Sequence, residues 1–371
     1  MNKSVKTFCA RIPESLRRSS NADHHLEPAF GLNGGNPRQR RGPVRGRGQW
    51  SVVSGQWSLF RGLWSVVLSG ALSLSLAAFA QNATSTGRKF ASPEQAIDAL
   101  RLATTGCDTN ALRELFGPGA LDVENPDRVQ ATNEWKTFSA ALAEKTHLVH
   151  VSDSRIVLEV GTDFWPFPVP IVKQSGRWVF DTAAGKDELL SRRIGKNELA
   201  TLPVMRAYVD AQREYASSDH NGDGVLQYAQ RLVSSPGKED GLYWPPDDAT
   251  GRLSPLGPLV ASAAAEGYVP VISEDEDEAE RGPFHGYLFK ILTRQGKHAP
   301  GGKYNYVING RMIGGFAMVA WPADYGSSGI MTFIVNQQGR VYQKDLGPKT
   351  SRLASHLKAY DPDPSWTLSP D

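Results

Sequence analysis

Apolar positions recur at helical spacing just after Ser92: Ala96, Ile97, Leu100 and Ala103 fall on one side of a helix. Ser92-Pro93-Glu94 supplies a capping hydroxyl, a proline at the first helical position and an early carboxylate, and Gly106 stops the run. Residues 110–116 predict a second short helix, ended by Gly117-Pro118-Gly119. Residues 133–145 predict a third, with Trp135, Phe138 and Leu142 on one face. The period then drops to two. Residues 147–151 and 155–160 alternate as strands, 169–172 are apolar, and Ser175-Gly176 turns the chain into a strand over 177–181.

Helical spacing returns over 184–193 and 197–217. Asn197 is placed to cap the second stretch, with Leu199, Leu202, Met205, Val209 and Gln212 down one side. Pro203 either kinks this helix or marks its start behind Thr201. After a polar loop, 227–233 reads as a short helix. Beyond a Pro- and Gly-rich connection, 259–265 reads as another. The last region alternates again: strands are expected at 287–293, 304–308, 315–321, 329–335 and 341–344. Turns at Asn309-Gly310, 324–328 and Gln337-Gln338-Gly339 join them into a five-strand meander. The fold class is therefore α+β: an α+β unit over 88–183, a helical segment over 184–240, and a helix with an antiparallel β-meander over 250–368.

Charge changes the reading of the front of the chain. Eleven Lys and Arg residues precede position 81 against three carboxylates, while the whole chain is only +2, so the remainder is acidic. The basic balance thus belongs to the leader and gives no reason to expect nucleic-acid binding. Residues 63–76 are mostly apolar, follow Arg61 and lead to Ala78-Phe79-Ala80. This predicts a signal peptide over 63–80, cut before Gln81, and an exported, periplasmic or extracellular protein. An uncleaved N-terminal anchor is the other reading. The Trp-Ser pairs at 50–51, 57–58 and 64–65 repeat every seven residues without a coiled-coil seam, so 1–62 is expected to be a mis-called or disordered extension. Only Cys107 remains after cleavage, which excludes an intramolecular disulfide or a Cys-x-x-Cys site. No later apolar run is long enough for a membrane span.

Helices followed by an antiparallel sheet ending in Gly176-Arg177-Trp178-Val179-Phe180-Asp181 resemble the cone-shaped fold of the nuclear transport factor 2 superfamily over about 88–183. That resemblance implies a cone used either as a ligand pocket or as a bare scaffold. More specific strings run the length of the chain. They are Trp165-Pro166-Phe167-Pro168, Arg193-Ile194-Gly195-Lys196-Asn197-Glu198-Leu199, Tyr208-Val209-Asp210-Ala211-Gln212-Arg213-Glu214-Tyr215, Ser254-Pro255-Leu256-Gly257-Pro258-Leu259 and Asn309-Gly310-Arg311-Met312-Ile313-Gly314-Gly315-Phe316. Together they resemble a bacterial family of exported proteins catalogued as domain of unknown function 2950, over about 88–368. The resemblance implies export and these boundaries; it implies no reaction.

The chemistry concentrates in Asp219-His220-Asn221-Gly222-Asp223-Gly224-Val225-Leu226. An EF-hand-type calcium loop takes oxygens at positions 1, 3 and 5, a turn glycine at 6 and a backbone carbonyl at 7. Asp219, Asn221, Asp223, Gly224 and Val225 meet these in order. Position 12 is Gln230, a neutral amide where a bidentate glutamate belongs, so a weak structural Ca2+ site is expected. The alternative is a metal-free turn whose Asx side chains cap the backbone. Glu274-Asp275-Glu276-Asp277-Glu278 lacks a turn glycine and reads as a solvated loop. No nucleophile elbow, phosphate loop or H-E-x-x-H is present. Lys186 at a helix start is a weak anion candidate. Arg311 and Asp324 form the best polar pair for a hydrolase of unrecognised type. The leading expectation is an exported, non-catalytic accessory or binding protein of the bacterial envelope, acting on an unidentified envelope protein or ligand.

Overall fold

The computed structural model describes residues 87–123, 125–246, 252–269 and 282–370. Residues 1–62, the expected signal-peptide run at 63–80 and the acidic run at 274–278 lie outside the described residues. The described residues belong to one compact unit, 83–371. They form a mixed α and β fold with antiparallel sheets.

Three helices open it: α1 (Pro93–Thr105), α2 (Thr109–Phe116) and α3 (Arg128–Glu144). Each begins on the chemistry expected of a helix start. Ser92, Asp108 and Asp127 accept hydrogen bonds from backbone N–H groups in the first turn, and Pro93 sits at N1. The third helix starts five residues earlier than its apolar spacing indicates, because Asp127 caps it there. Cys107 sits in the turn between α1 and α2, half-buried and free. The helices pack on a sheet of β1 (Thr146–Ser152), β2 (Arg155–Val160), β3 (Trp165–Pro166), β4 (Ile171–Gln174) and β5 (Arg177–Phe180). Alternation decides the face: Ile156, Leu158 and Val160 are buried, and Arg155, Val157 and Glu159 between them are less so. Ser175 and Gly176, both at positive φ, make the expected tight turn.

The chain then enters α4 (Thr182–Tyr215), one helix of 34 residues capped by Asp181. This corrects the expectation of two helices. Pro203 does not break the run, because Pro203 is itself exposed and the carbonyl it leaves unpaired, that of Leu199, belongs to a residue 70% exposed. Asn197 does not cap either; it is fully buried in mid-helix. Leu189 of α4 packs on the first core, whereas Leu202, Met205, Tyr208 and Val209 belong to the second. The helix therefore runs through both.

A short helix, α5 (Gly257–Glu266), precedes the second sheet. That sheet holds β6 (Tyr287–Leu292), β11 (Ala317–Pro322), β12 (Met331–Asn336), β13 (Tyr342–Asp345) and β14 (Thr367–Leu368), in the order β14-β13-β12-β11-β6. β11 is buried along its whole length, with the short helix α6 (Thr350–Ser355) packed against it. The expected meander strand at 304–308 is not in this sheet. It splits into β8 (Tyr304–Asn305), paired with β7 (Arg294–Gln295), and β9 (Val307–Ile308), paired with β10 (Arg311–Met312). The fifth place goes to β14 at the end of the chain. Asn309 and Gly310, both at positive φ, close the β9–β10 hairpin as a two-residue turn requires. Among the described residues no helix is long and apolar enough to cross a membrane.

Candidate functional site

The Asp219 loop follows directly on the end of α4. Both oxygens of its first carboxylate hold the turn closed: Asp219 Oδ1 accepts the N–H of Asn221 (3.2 Å) and Gly222 (2.9 Å), and Oδ2 accepts that of Gly224 (2.8 Å). Gly222 and Gly224 both take positive φ, which the turn requires and side chains resist. The Gly224 hydrogen bond is the largest of several that hold the Asp219 carboxyl below its usual range. Asp223 Oδ1 accepts the N–H of Val225 at 2.9 Å. Its Oδ2 accepts Asn221 Nδ2 at 2.9 Å and Arg311 Nε at 2.8 Å. The Arg311 hydrogen bond is the main cause of the lowered Asp223 carboxyl.

The loop is seated by its second residue. His220 stacks on the Tyr215 ring with centroids 4.0 Å apart, and its Nδ1 lies 3.1 Å from Glu239. Its Nε2 is 3.1 Å from the Tyr215 carbonyl. Burial, with the charges of Asp240 and Glu239, pushes the Tyr215 phenol up to about 12. Nothing in the loop motif marks His220 for this role; its carboxylate neighbour, Glu239, comes from 19 residues downstream.

The helix expected after the loop is absent. Residues 225–233 form no helix: Tyr228 N–H donates to the Met312 carbonyl at 2.8 Å. Ala229 is paired through both its N–H and its C=O with the side-chain amide of Gln212. A buried glutamine thus takes the place of a neighbouring strand. Gln230 consequently leaves the loop, and its Nε2 donates to the Gly310 carbonyl at 2.8 Å. Of the five candidate ligands, Asp219, Asn221, Asp223 and Val225 share one turn and Gln230 belongs to the hairpin contact. Among the described residues no three His, Cys, Asp or Glu side chains converge on one point. An ion in this turn would therefore rely on the Asn221 amide oxygen and the Val225 carbonyl beside two carboxylates, a donor set suited to a hard cation.

Arg311 and Asp324 are not brought together. Arg311 lies on β10, whereas Asp324 follows the C-terminal end of β11. Arg311 faces Asp223, whereas Asp324 closes a turn in which its N–H donates to Ser328 Oγ at 2.9 Å. Its charge acts on Arg193, whose guanidinium is lowered chiefly by burial.

A second polar cluster, invisible in the sequence, ties the first helices to the second sheet. Asp127 is 2% exposed. Its Oδ1 caps α3 through Gln130 N–H, and its Oδ2 accepts both Tyr268 Oη at 2.8 Å and the Gly286 N–H at 3.1 Å. Burial first, then the Asp127 carboxylate, drives the Tyr268 phenol well above its ordinary range. Gln130 Nε2 donates to Asn197 Oδ1 at 2.7 Å, and Asn197 Nδ2 donates to the Ser328 carbonyl at 2.8 Å. Every one of these groups has a partner, as burial demands.

The model of one protein family, described as "Protein of unknown function (DUF2950)", matches residues 87–368, covering both cores, the loop and the network. The chain belongs to the DUF2950 family. No curated protein and no solved structure matches it. The match begins at the first described residue, Gly87, and takes in every candidate ligand of the DUF2950 loop as well as the Arg311 that faces it.

Proposed function

We propose that this DUF2950 protein is an exported, non-catalytic accessory or binding protein of the bacterial envelope, and that its 219–225 turn is a structural calcium site. The observation that carries the reading is the use made of the loop's polar groups. Asp219 closes the turn, Asp223 reaches Arg311 on the β9–β10 hairpin, and His220 plugs into Tyr215 and Glu239. Groups committed to holding three chain segments together act as a clasp, and a bound cation would tighten the same clasp. Gln230 lies outside it, which favours weak binding in the range filled outside the cytoplasm, about 10⁻⁴–10⁻³ M.

The cone-like reading of 88–183 fits the same picture. Three helices face an antiparallel sheet, and the space between them is filled by rings. Phe116 lies 5.0 Å from Phe180, and Phe138 stacks on Phe167 at 5.0 Å. A hollow packed with phenylalanine serves as scaffold rather than as reaction chamber.

Fractionation combined with in-cell cross-linking tests the reading. A reproducible envelope partner, recovered from the exported fraction, is expected. Recovery of the protein only in the cytoplasm, with no partner, would overturn it.

A further inference from the structure

Outside the filled cone, a groove of about 540 Å³ lies between α1, α2 and the extended segment that precedes α1. Its apolar lining comes from Phe90, Ala99, Leu102, Ala103, Ala111 and Leu115. Helical spacing explains why it exists. α1 buries Ala96, Ile97, Leu100 and Ala103 in the core, and a second stripe, Gln95, Ala99 and Leu102, faces the groove. Alanines at 99, 103 and 111 leave the space open, and Leu102 stands 75% exposed at the rim. A large exposed leucine beside an apolar concavity is the arrangement of a binding groove, and the volume falls within the range of small-molecule sites.

The polar rim selects the occupant. Asp98 is paired with Arg101 at 2.9 Å, and Asp108 Oδ1 is committed to the Asn110 and Ala111 N–H groups that start α2. Arg88 differs. Its guanidinium lies over the Phe90 ring, 5.3 Å from the centroid, and among the described residues it meets no carboxylate. Its backbone is held rigidly on both sides. Arg88 N–H donates to the Glu114 carbonyl at 2.7 Å, and Phe90 exchanges backbone hydrogen bonds with Trp178. Gly87 is pressed so close to the Leu115 carbonyl that an added Cβ would lie 1.9 Å from the oxygen. A guanidinium lying over the Phe90 ring, with no carboxylate partner among the described residues, is complementary to a carboxylate carried on an aliphatic chain.

We infer that the groove between α1 and α2 binds an aliphatic carboxylate, its chain along Leu102 and Leu115 and its head on Arg88. The proposal does not depend on the calcium loop, which lies in a different part of the fold.

Calorimetric titration of the full exported protein with decanoate, below its micellar range, tests it. Saturable binding is expected, weakened by about tenfold or more in Arg88→Ala, a loss of about 1.4 kcal/mol. Leu102→Ser, at a position the core does not need, should weaken it as well. Decyltrimethylammonium, with a similar chain and the opposite charge, should not bind saturably. Absence of saturable decanoate binding, equal binding by Arg88→Ala, or equal affinity for the cationic amphiphile would each overturn the assignment.

Discussion

Asp223 and Arg311 are 88 residues apart in the chain, and Arg311 Nε lies 2.8 Å from Asp223 Oδ2. The pair fastens the turn at the end of α4 to the β9–β10 hairpin. Beside it, Gln230 bonds the Gly310 carbonyl and Tyr228 bonds the Met312 carbonyl. Two features that look independent in the sequence, an acidic turn and a distant arginine, are halves of one contact.

That contact has a pH signature. The Asp223 carboxyl is lowered in the folded state, chiefly by the Arg311 hydrogen bond, so its contribution is present above the unfolded carboxylate pKa and lost as pH falls through the folded one. Arg311→Ala should therefore melt below the wild type near neutrality, and the gap should close below roughly pH 4. A gap of constant size from neutral to acid pH would show that Arg311 acts through packing instead.

Asp127 should matter more than any single side chain of the loop. Asp127→Ala removes the α3 cap and strands the half-buried Tyr268 hydroxyl and the buried Gly286 N–H. Urea unfolding should show a loss of about 2–4 kcal/mol. Tyr268→Phe removes one donor and leaves the carboxylate its other partners, so about 1 kcal/mol is expected. If Tyr268→Phe cost as much as Asp127→Ala, the carboxylate would not be the centre of the network.

Gly286 is irreplaceable for two separate reasons. Its φ is +75°, and a Cβ there would lie 2.4 Å from Asn197 Nδ2. Gly286→Ala is expected to cost roughly 2–4 kcal/mol through backbone strain and displacement of the Asn197 amide. A paired variant, Asn197→Ala with Gly286→Ala, should lose less than the sum of the single changes, because removing the amide relieves the clash. Strict additivity in denaturant melts would argue against that contact.

Local signals carried most of the elements. Ser92-Pro93 announces α1, the change of period at 147 announces the first sheet, and Asn309-Gly310 announces its hairpin, because caps, periods and two-residue turns are written in adjacent residues. The failures have a common cause in tertiary partners. Residues 227–233 read as a short helix, yet the Gln212 amide and the Met312 carbonyl hold Ala229 and Tyr228 in other pairings. Tyr304 and Ile308 alternate like a meander strand but pair elsewhere, and Thr367 closes the sheet from the far end of the chain. Of the candidate site, the order Asp219, Asn221, Asp223 and Gly224 was legible and the turn forms as that order dictates. The departure of Gln230 and the arrival of Arg311 were not, since neither depends on spacing within the loop. The Gln130–Asn197 contact spans 67 residues and leaves no trace in either local pattern.

We propose that calcium tightens the clasp formed by the 219–225 turn. Thermal unfolding of the protein in excess calcium and in chelator, with Asp223→Ala run alongside, is the decisive measurement. At calcium about tenfold above the dissociation constant, binding to the folded state adds about 1.4 kcal/mol, a rise of a few degrees in Tm. That rise is expected in the wild type and should disappear in Asp223→Ala. A wild-type Tm unchanged between millimolar calcium and chelator would contradict it, leaving a turn held by its own hydrogen bonds and by Arg311 alone.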